Sequence, residues 1–290
     1  MNTHHLIKIT FRITITFLVI LFFYFLGRVF ICDQFIIPSS SMEPTLIPGD
    51  RVVVNKLLFG ARIYTSFDFR DHAPFCSWRV KGFRAISPND IIIFNVPTGY
   101  NSNKIEFKIN YVFCKRCIGT PGDTVSIVNG VFKNNRYNKL IGNIGKQVLL
   151  SNTNNSQINK LTLITIPHDS INFGWTIKNM GPRWIPKKGD SILIDSSNYK
   201  LYARIIGYEL NGPVSIYKDK LLINNRIITK HVFRNNYYFA CGDNVLHSGD
   251  SRYWGFIPEQ FIVGIVTRIS YSIDPKTQAV LKNRILQKLI

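Results

Sequence analysis

A long apolar segment near the N-terminus constrains the fold of this chain more than any other feature. Between residues 9 and 27, only three threonines and Arg12 interrupt the apolar sequence. As a helix rising 1.5 Å per residue, this segment would cover roughly 28 Å, close to the hydrocarbon thickness of a bilayer. The sequence therefore predicts a membrane-spanning helix over 9–31.

The charges flanking this segment predict its orientation. Lys8 and Arg12 place positive charge on the N-terminal side, which favours a cytoplasmic N-terminus over 1–8. The rest of the chain is then expected outside the cytoplasmic (inner) membrane. A cleaved secretory signal begins similarly, but this apolar stretch is too long and no small-x-small cleavage site follows it. We therefore predict an uncleaved, single-pass anchor.

Beyond the anchor, short β-branched runs follow turn residues, and helical periodicity is nearly absent. Four turns resemble one another, because each places Asp after Gly or Asn and one or two positions before an apolar run begins. Such residues set turn dihedrals, and the runs that follow suit strands. The pattern predicts a mainly β body. The turns are Pro48-Gly49-Asp50, Pro88-Asn89-Asp90, Pro121-Gly122-Asp123 and Gly189-Asp190.

Composition divides this β body into parts. The stretch 129–236 is richer in Asn and Lys, and we interpret it as an inserted second β domain. Residues 32–128 and 237–272 would then form one main domain. In the tail, 273–290, apolar residues recur every four positions among basic ones, which predicts a basic amphipathic helix that lies on the membrane or packs on the body.

The charge and the cysteines exclude some classes of function. A net charge of +19 is typical of proteins that bind nucleic acid or an anionic lipid surface, and the anchor favours lipid. A high Lys and Asn content that only solvates loops explains most of these charges at least as well. The sequence shows no nucleic-acid-binding motif. Cys114 and Cys117 form a Cys-x-x-Cys pair, but residues three apart in a strand point to opposite faces. We interpret them as core residues and expect neither a metal nor a cofactor.

Three separated runs contain the candidate catalytic residues. Residues 37–46 read IPSSSMEPTL, 111–123 read YVFCKRCIGTPGD, and 242–258 read GDNVLHSGDSRYWGFIP. In this order they resemble the signature stretches of type I signal peptidases, membrane serine proteases of the S26 family that use a lysine as base. The resemblance covers about 28–56, 111–128 and 236–270, and it is weaker across the insert.

The resemblance implies that Ser41 is the nucleophile and Lys115 the general base. A lysine with an ordinary pKa near 10.4 is only about 0.1% neutral at physiological pH, so a base needs a pKa lowered by roughly three units. Full burial lowers a lysine pKa by about 3 to 5 units, and the sequence around Lys115 is apolar. Without the other two runs, Lys115 and Arg116 would be interpreted as an exposed pair on an edge strand.

The resemblance also implies supporting residues around this pair. Ser248 stands where the family has a serine that orients the lysine amine. The hydroxyl of Ser39 and the backbone N–H of Ser41 would hold the oxyanion.

Charged residues of the second and third runs are expected to have structural roles. Asp243, Asp250 and Arg252 match structural charges of the family motif. Because neighbours in a strand face opposite ways, Arg116 should point away from Lys115 and pair with an acid such as Asp243.

The family fold that this resemblance implies is mainly β: an N-terminal transmembrane helix, an antiparallel β-sheet catalytic domain and an inserted second β domain. The implied reaction is endoproteolysis that removes N-terminal signal peptides from exported preproteins after small residues. Exported preproteins and the lipid bilayer are the expected partners, without nucleic acid, and a monomer is expected.

Three alternatives stay open at this point. His247, between the third run's Leu246 and Ser248, allows a serine, histidine and acid arrangement with Asp250. The stretch Val245-Leu246-His247 replaces a more common Arg-Asp-Asn, which is compatible with a catalytically altered, membrane-tethered β scaffold that binds exported polypeptides. Self-cleaving bacterial repressors share a Ser and Lys pair, but they carry a DNA-binding domain where this chain has an apolar anchor.

Overall fold

The computed structural model describes residues 3–66, 75–97, 104–161 and 173–289. Helix α1, Thr3–Phe30, comes first. Its Ile7–Phe30 portion has a mean hydropathy of 2.2, and its apolar residues are not buried. The helix is therefore long and apolar enough to cross a membrane, as predicted.

A polar junction joins the anchor to the body. Arg28, in the last turn of α1, forms an ion pair with Asp33 at 2.5 Å. The ammonium group of Lys56 donates to the carbonyl oxygen of Arg28 at 2.6 Å and lies 3.3 Å from the Asp33 carboxylate. These contacts fix where the chain leaves the helix.

The body after α1 is mainly β, as predicted, and a few short helices interrupt it. The helices are α2 (Lys56–Phe59), α3 (Ile144–Asn152), α4 (Asn155–Leu161), α5 (Tyr199–Glu209) and α6 (Ser251–Trp254). The strands are β1 (Cys32–Ile36), β2 (Asp50–Asn55), β3 (Arg62–Tyr64), β4 (Ser77–Arg79), β5 (Ile91–Asn95), β6 (Val112–Gly119), β7 (Thr124–Val128), β8 (Val131–Asn134), β9 (Met180–Trp184), β10 (Ser191–Leu193), β11 (Val214–Tyr217), β12 (Lys220–Ile223), β13 (Arg226–Ile227), β14 (Lys230–Val232), β15 (Tyr237–Cys241), β16 (Ile257–Pro258) and β17 (Ile262–Ser272).

A seven-stranded antiparallel sheet forms the centre of the body, with the order β1-β2-β17-β5-β6-β15-β16. Strand β5 lies in its middle and is buried on both faces. Ile92 and Phe94 pack into one apolar cluster, whereas Ile91 and Ile93 pack into another on the opposite face. Burial on both faces explains why this strand is a continuous apolar run rather than an alternating one.

The four Asp turns share one hydrogen-bonding pattern. In each, the residue before Asp has a positive φ, between 77° and 95°, and the Asp carboxylate accepts a hydrogen bond from the backbone N–H three residues earlier. This closes the turn locally and starts a strand. The accepting residues are Asp50, Asp90, Asp123 and Asp190, at 2.9, 2.8, 2.9 and 3.1 Å.

The inserted stretch, 129–236, contains helices α3, α4 and α5 as well as short strands, so it is not purely β. Helix α5 places Tyr202 and Ile206 in a core that also contains Phe239 and Phe256 of the main part. The insert and the main part therefore share one apolar core. The division of the chain into two domains stays a prediction.

The tail is not an amphipathic α-helix, so that prediction is wrong. A 3₁₀ turn, Lys282–Arg284, interrupts an extended segment that returns along β17. Strand β5 pairs with β17 only as far as Val266, which leaves backbone groups of β17 open beyond that point. The tail satisfies them, since the N–H groups of Leu286 and Leu289 donate to carbonyl oxygens of β17. Pairing with a sheet edge thus prevails over the local helical pattern.

Candidate active site

Ser41 lies on a short turn directly after the anchor and β1. The turn, Ser40–Met42, is a 3₁₀ helix in which Met42 is buried in the core. The loop that carries it closes on itself, because Ile37 N–H donates to Asp50 O at 2.8 Å and Gly49 N–H donates back to Ile37 O at 2.9 Å. A buried side chain and a closed base therefore hold Ser41 in place.

Lys115 lies in β6 opposite Ile92 of β5 and is only 4% exposed. Its Nζ lies 2.5 Å from the Oγ of Ser41. An ammonium group at this position donates to the hydroxyl oxygen, whereas a neutral amine accepts a hydrogen bond from the Ser41 hydroxyl. The structure therefore brings together the two residues on which the sequence prediction centres.

Burial lowers the pKa of Lys115, and the nearby charge of Arg252 lowers it further. The negative charge of Asp250 acts in the opposite direction, but desolvation is the larger effect. The ring of Phe113 lies 5.3 Å from Nζ and contributes to the shielding from water. Burial therefore shifts the protonation equilibrium of Lys115 toward the neutral amine, which is the form that can accept a proton.

Arg116, the neighbour of Lys115 in β6, pairs with Asp243 as expected, through two hydrogen bonds of 2.7 and 2.6 Å. Asp243 is 1% exposed. Its carboxylate also accepts a hydrogen bond from the hydroxyl of Thr45 at 2.5 Å. This ion pair therefore links β6 to the loop that carries Ser41.

The start of the third sequence run braces the serine turn. The backbone N–H of Asn244 donates to Ser41 O, and its side-chain amide donates to Ser40 O, both at 3.1 Å. A Cβ atom at Gly242 would lie 2.4 Å from Ser41 O and 2.2 Å from Ser248 Oγ. Only glycine allows the two segments to approach this closely.

Asp250 and Arg252 form a fully buried ion pair with two hydrogen bonds of 2.8 Å. Asp250 also accepts a hydrogen bond from the N–H of Gly242 at 2.9 Å. Burial raises the pKa of Asp250, but the charge and hydrogen bonds of Arg252 outweigh it and hold the pKa below its ordinary value. The pair therefore fixes the start of the third run.

Ser248 and Ser39, the two expected supporting serines, differ in burial. Ser248 is buried, and its hydroxyl makes no well-aligned hydrogen bond to any described residue, including Lys115. It nevertheless lies near enough to Asp250 to help lower the pKa of that carboxylate. Ser39 is exposed, with its Oγ 3.4 Å from Ser41 Oγ. Their roles stay predictions.

His247 is half-buried, and its backbone N–H donates to Asn244 O. Within the described ranges, its side chain makes no hydrogen bond to Ser248 or Asp250. Val245 and Leu246, the other residues of the unusual stretch, are buried in the apolar core. Two of the three residues that depart from the family motif therefore pack in the core.

Sequence reasoning missed two contacts that hold the Ser41 loop. Thr45 lies within the first run, where its contact with Asp243 could have been suspected. Arg284 contacts Asp50 across 234 positions, and no local pattern indicates it. In the part of the chain that the structure describes, no cluster of three or more His, Cys, Asp or Glu could hold a metal ion.

An apolar helix, a mainly β body and a serine hydroxyl facing a buried lysine define the class of membrane-anchored serine peptidases. The sequence model of the family described as "Signal peptidase, peptidase S26" matches residues 10–271. The chain belongs to this family.

Several relatives named signal peptidase I are similar over most of the chain. The protein of Buchnera aphidicola subsp. Baizongia pistaciae is 30% identical over 270 residues, which cover 88% of this chain and 74% of that relative. The protein of Buchnera aphidicola subsp. Schizaphis graminum is 27% identical, with 88% and 73% covered. The protein of Aquifex aeolicus is 28% identical, with 88% and 82% covered.

Proposed function

We propose that this protein removes N-terminal signal peptides from exported preproteins after small residues, with Ser41 as nucleophile and Lys115 as general base. The observation that carries the proposal is the 2.5 Å distance between Lys115 Nζ and Ser41 Oγ, combined with the burial that favours the neutral amine. Membership of the signal peptidase family supplies the substrate class.

The geometry supports a two-step acyl transfer. Ser41 Oγ attacks the scissile carbonyl carbon while Lys115 Nζ takes the hydroxyl proton. The resulting ammonium group gives this proton to the leaving amine, so the C–N bond breaks and an acyl-enzyme remains. The neutral Lys115 then takes a proton from water, whose oxygen attacks the ester carbonyl carbon. The ammonium group returns this proton to Ser41 Oγ as the ester C–O bond breaks, which releases the signal peptide and regenerates Ser41 and the neutral amine. The hydroxyl of Ser39, beside Ser41, would donate to the oxyanion.

Strand β1 provides a place for an extended substrate. It lies at one end of the sheet order and leads directly into the loop of Ser41. An extended peptide that adds to such an edge positions its carbonyl groups at regular intervals. The anchor holds the same edge close to a bilayer, where the cleavage site of a signal peptide emerges from its apolar segment.

The packing of Val245 and Leu246 favours an enzyme over the inactive scaffold. A scaffold was motivated by the change of motif at these positions, yet both side chains lie in the core. The contact between Ser41 and Lys115 is retained despite the change. The proposed enzyme works as a monomer in the cytoplasmic membrane, with its body on the extracytoplasmic side.

Cleavage of a preprotein by the purified, detergent-solubilised full chain tests the function. The wild-type chain should release the mature N-terminus, identified by mass spectrometry, immediately after a small residue. Cleavage elsewhere, or no cleavage by a folded chain, would contradict the proposal. Protease treatment of intact spheroplasts tests the topology: the body should be digested from outside, whereas a tag at residue 1 should stay protected.

A further inference from the structure

The C-terminal strap, residues 273–289, contacts the serine loop, residues 37–50. The guanidinium group of Arg284 donates to both carboxylate oxygens of Asp50, at 2.7 and 2.5 Å. It also donates to the backbone carbonyl oxygen of Thr45 at 3.0 Å. A single side chain of the strap therefore holds both the middle and the end of the serine loop.

This contact is shielded from water. Asp50 is fully buried, and the side chain of Arg284 is 12% exposed. One oxygen of Asp50 also accepts a hydrogen bond from Ile47 N–H within the loop. Loss of Arg284 would leave a buried carboxylate without its counter-charge, and the loop would have to move to hydrate it. The conformation of the loop is thus coupled to the strap.

The sheet fixes the position of the strap itself. Ile273 N–H donates to Gly49 O at 3.2 Å at the start of the strap, and Leu289 N–H donates to Thr267 O at 3.0 Å at its end. Leu289 also packs against the apolar cluster that contains Met42 of the serine turn. Hydrogen bonds at both ends of the strap therefore fix the position of Arg284.

The serine loop is held from two directions. Asn244 and Asp243 bind it from the third sequence run, through Ser41 O and the Thr45 hydroxyl. Arg284 binds the serine loop from the C-terminal strap, through the carbonyl oxygen of Thr45. Thr45 is the residue at which the two sets of contacts meet, three residues beyond the serine turn.

We propose that Arg284 is a positioning residue, which keeps the Ser41 hydroxyl aligned with the Lys115 amine through Asp50 and Thr45. The inference rests on the proposed roles of Ser41 and Lys115. Arg284 does not touch the reacting atoms. Its contribution is to the alignment of the nucleophile, on which the rate of the chemical step depends steeply.

The test compares Arg284→Gln with Lys282→Gln in the detergent-solubilised full chain. Lys282 is exposed in the same 3₁₀ turn, so its substitution removes the same charge from the strap without touching the serine loop. For Arg284→Gln we expect kcat for preprotein cleavage to fall about 10- to 100-fold. We expect KM to stay within about twofold, because the substrate contacts are unchanged.

The pH dependence of kcat distinguishes a loss of Ser41 alignment from a change in the pKa of Lys115. For Arg284→Gln, kcat should fall by the same factor at every pH, with an unchanged midpoint, because Lys115 is not altered. Lys282→Gln should match the wild type. A kcat for folded Arg284→Gln within about twofold of the wild-type value would overturn the proposal, as would a loss confined to KM.

A second variant covers the case in which Arg284→Gln does not fold. Arg284→Lys keeps the charge opposite Asp50 but lacks the planar fork that makes three hydrogen bonds. Its kcat should fall about 5- to 10-fold, and a wild-type kcat would overturn the proposal. Ser41→Ala and Lys115→Ala, assayed in parallel, report on the proposed function itself. If they are inactive while both Arg284 variants are normal, only the positioning role is wrong.

Discussion

Lys115 Nζ lies 2.5 Å from Ser41 Oγ, although the two residues are 74 positions apart in the sequence. One belongs to a central region of the sheet and the other to a turn that follows the anchor. Asn244 and the ion pair of Arg116 and Asp243 join the two segments. The contact is therefore a product of tertiary structure, and activity should respond to changes at either residue.

Ser41→Ala and Lys115→Met should each abolish preprotein cleavage. The first removes the nucleophile and the second removes the base at nearly constant volume. We expect losses of about 10⁴-fold or more in kcat/KM, as for residues that act as one catalytic unit. The double variant should be no slower than either single variant. The measurement is cleavage under single-turnover conditions, and near-normal turnover by folded Lys115→Met would contradict the mechanism.

The activity should rise with pH through the pKa of Lys115, because only the neutral amine accepts the Ser41 proton. Burial lowers this pKa, so the midpoint of kcat/KM should lie below the ordinary lysine value of about 10.4. A pH series of preprotein cleavage measures it. A midpoint at or above the value of a solvent-exposed lysine would show that the amine is not desolvated.

The same shift has a consequence for stability. A lysine whose pKa is lower in the folded state than in the unfolded state destabilises the folded state. This destabilisation is complete below the folded pKa and decreases as the pH rises toward the unfolded pKa. Lys115→Met removes this cost, so its stability advantage over the wild type should be largest at low pH. Thermal unfolding of both chains across pH provides a control for folding.

Gly242→Ala should inactivate the protein by displacing Ser41. The added Cβ would lie 2.4 Å from Ser41 O and 2.2 Å from Ser248 Oγ, so the serine turn has to shift. A shift of about 1 Å is enough for a roughly 100-fold loss of kcat. Gly145→Ala is the matched control, since its Cβ would meet its nearest neighbour at 3.4 Å. Similar cleavage rates for the two variants would argue against close packing behind Ser41.

Local patterns made part of this structure predictable. The length of the apolar segment predicted α1, and residues within three positions of each other determine the Asp turns. The contact of Ser41 with Lys115 was expected from the family resemblance that the three runs carry, because neither residue is distinctive alone. Helix α5 was missed, although Tyr199, Tyr202 and Ile206 follow helical spacing.

The contact between the strap and the serine loop was not predictable. Arg284 and Asp50 are ordinary charged residues in their own neighbourhoods, and their pairing depends on how the strap returns along β17. The periodicity of the strap predicted a helix, whereas the strap is extended and pairs with β17. The open edge of β17 exists only in the folded sheet, so the sequence of the strap does not reveal it.

His247→Ala should retain most of the cleavage activity. The histidine is adjacent to Ser248, but its side chain makes no hydrogen bond to Ser248 or Asp250 in the part of the chain that the structure describes. We expect kcat/KM within about threefold of the wild type, since no proton transfer depends on the ring. Cleavage by this variant is compared with that of Lys115→Met. Equal losses would instead favour a serine, histidine and acid mechanism.

Asp250→Asn should destabilise the fold through Arg252. The substitution leaves a fully buried guanidinium group without its counter-charge, a change that typically costs about 3 to 5 kcal/mol. Because the folded pKa of Asp250 lies below its unfolded value, the wild-type contribution is complete above the unfolded pKa and disappears as pH falls through the folded one. The stability gap between wild type and variant should therefore narrow in strong acid. Denaturant unfolding measures it, with exposed Asp195→Asn as the control, and equal effects of the two substitutions would mean that the buried pair does not stabilise the segment behind Ser41.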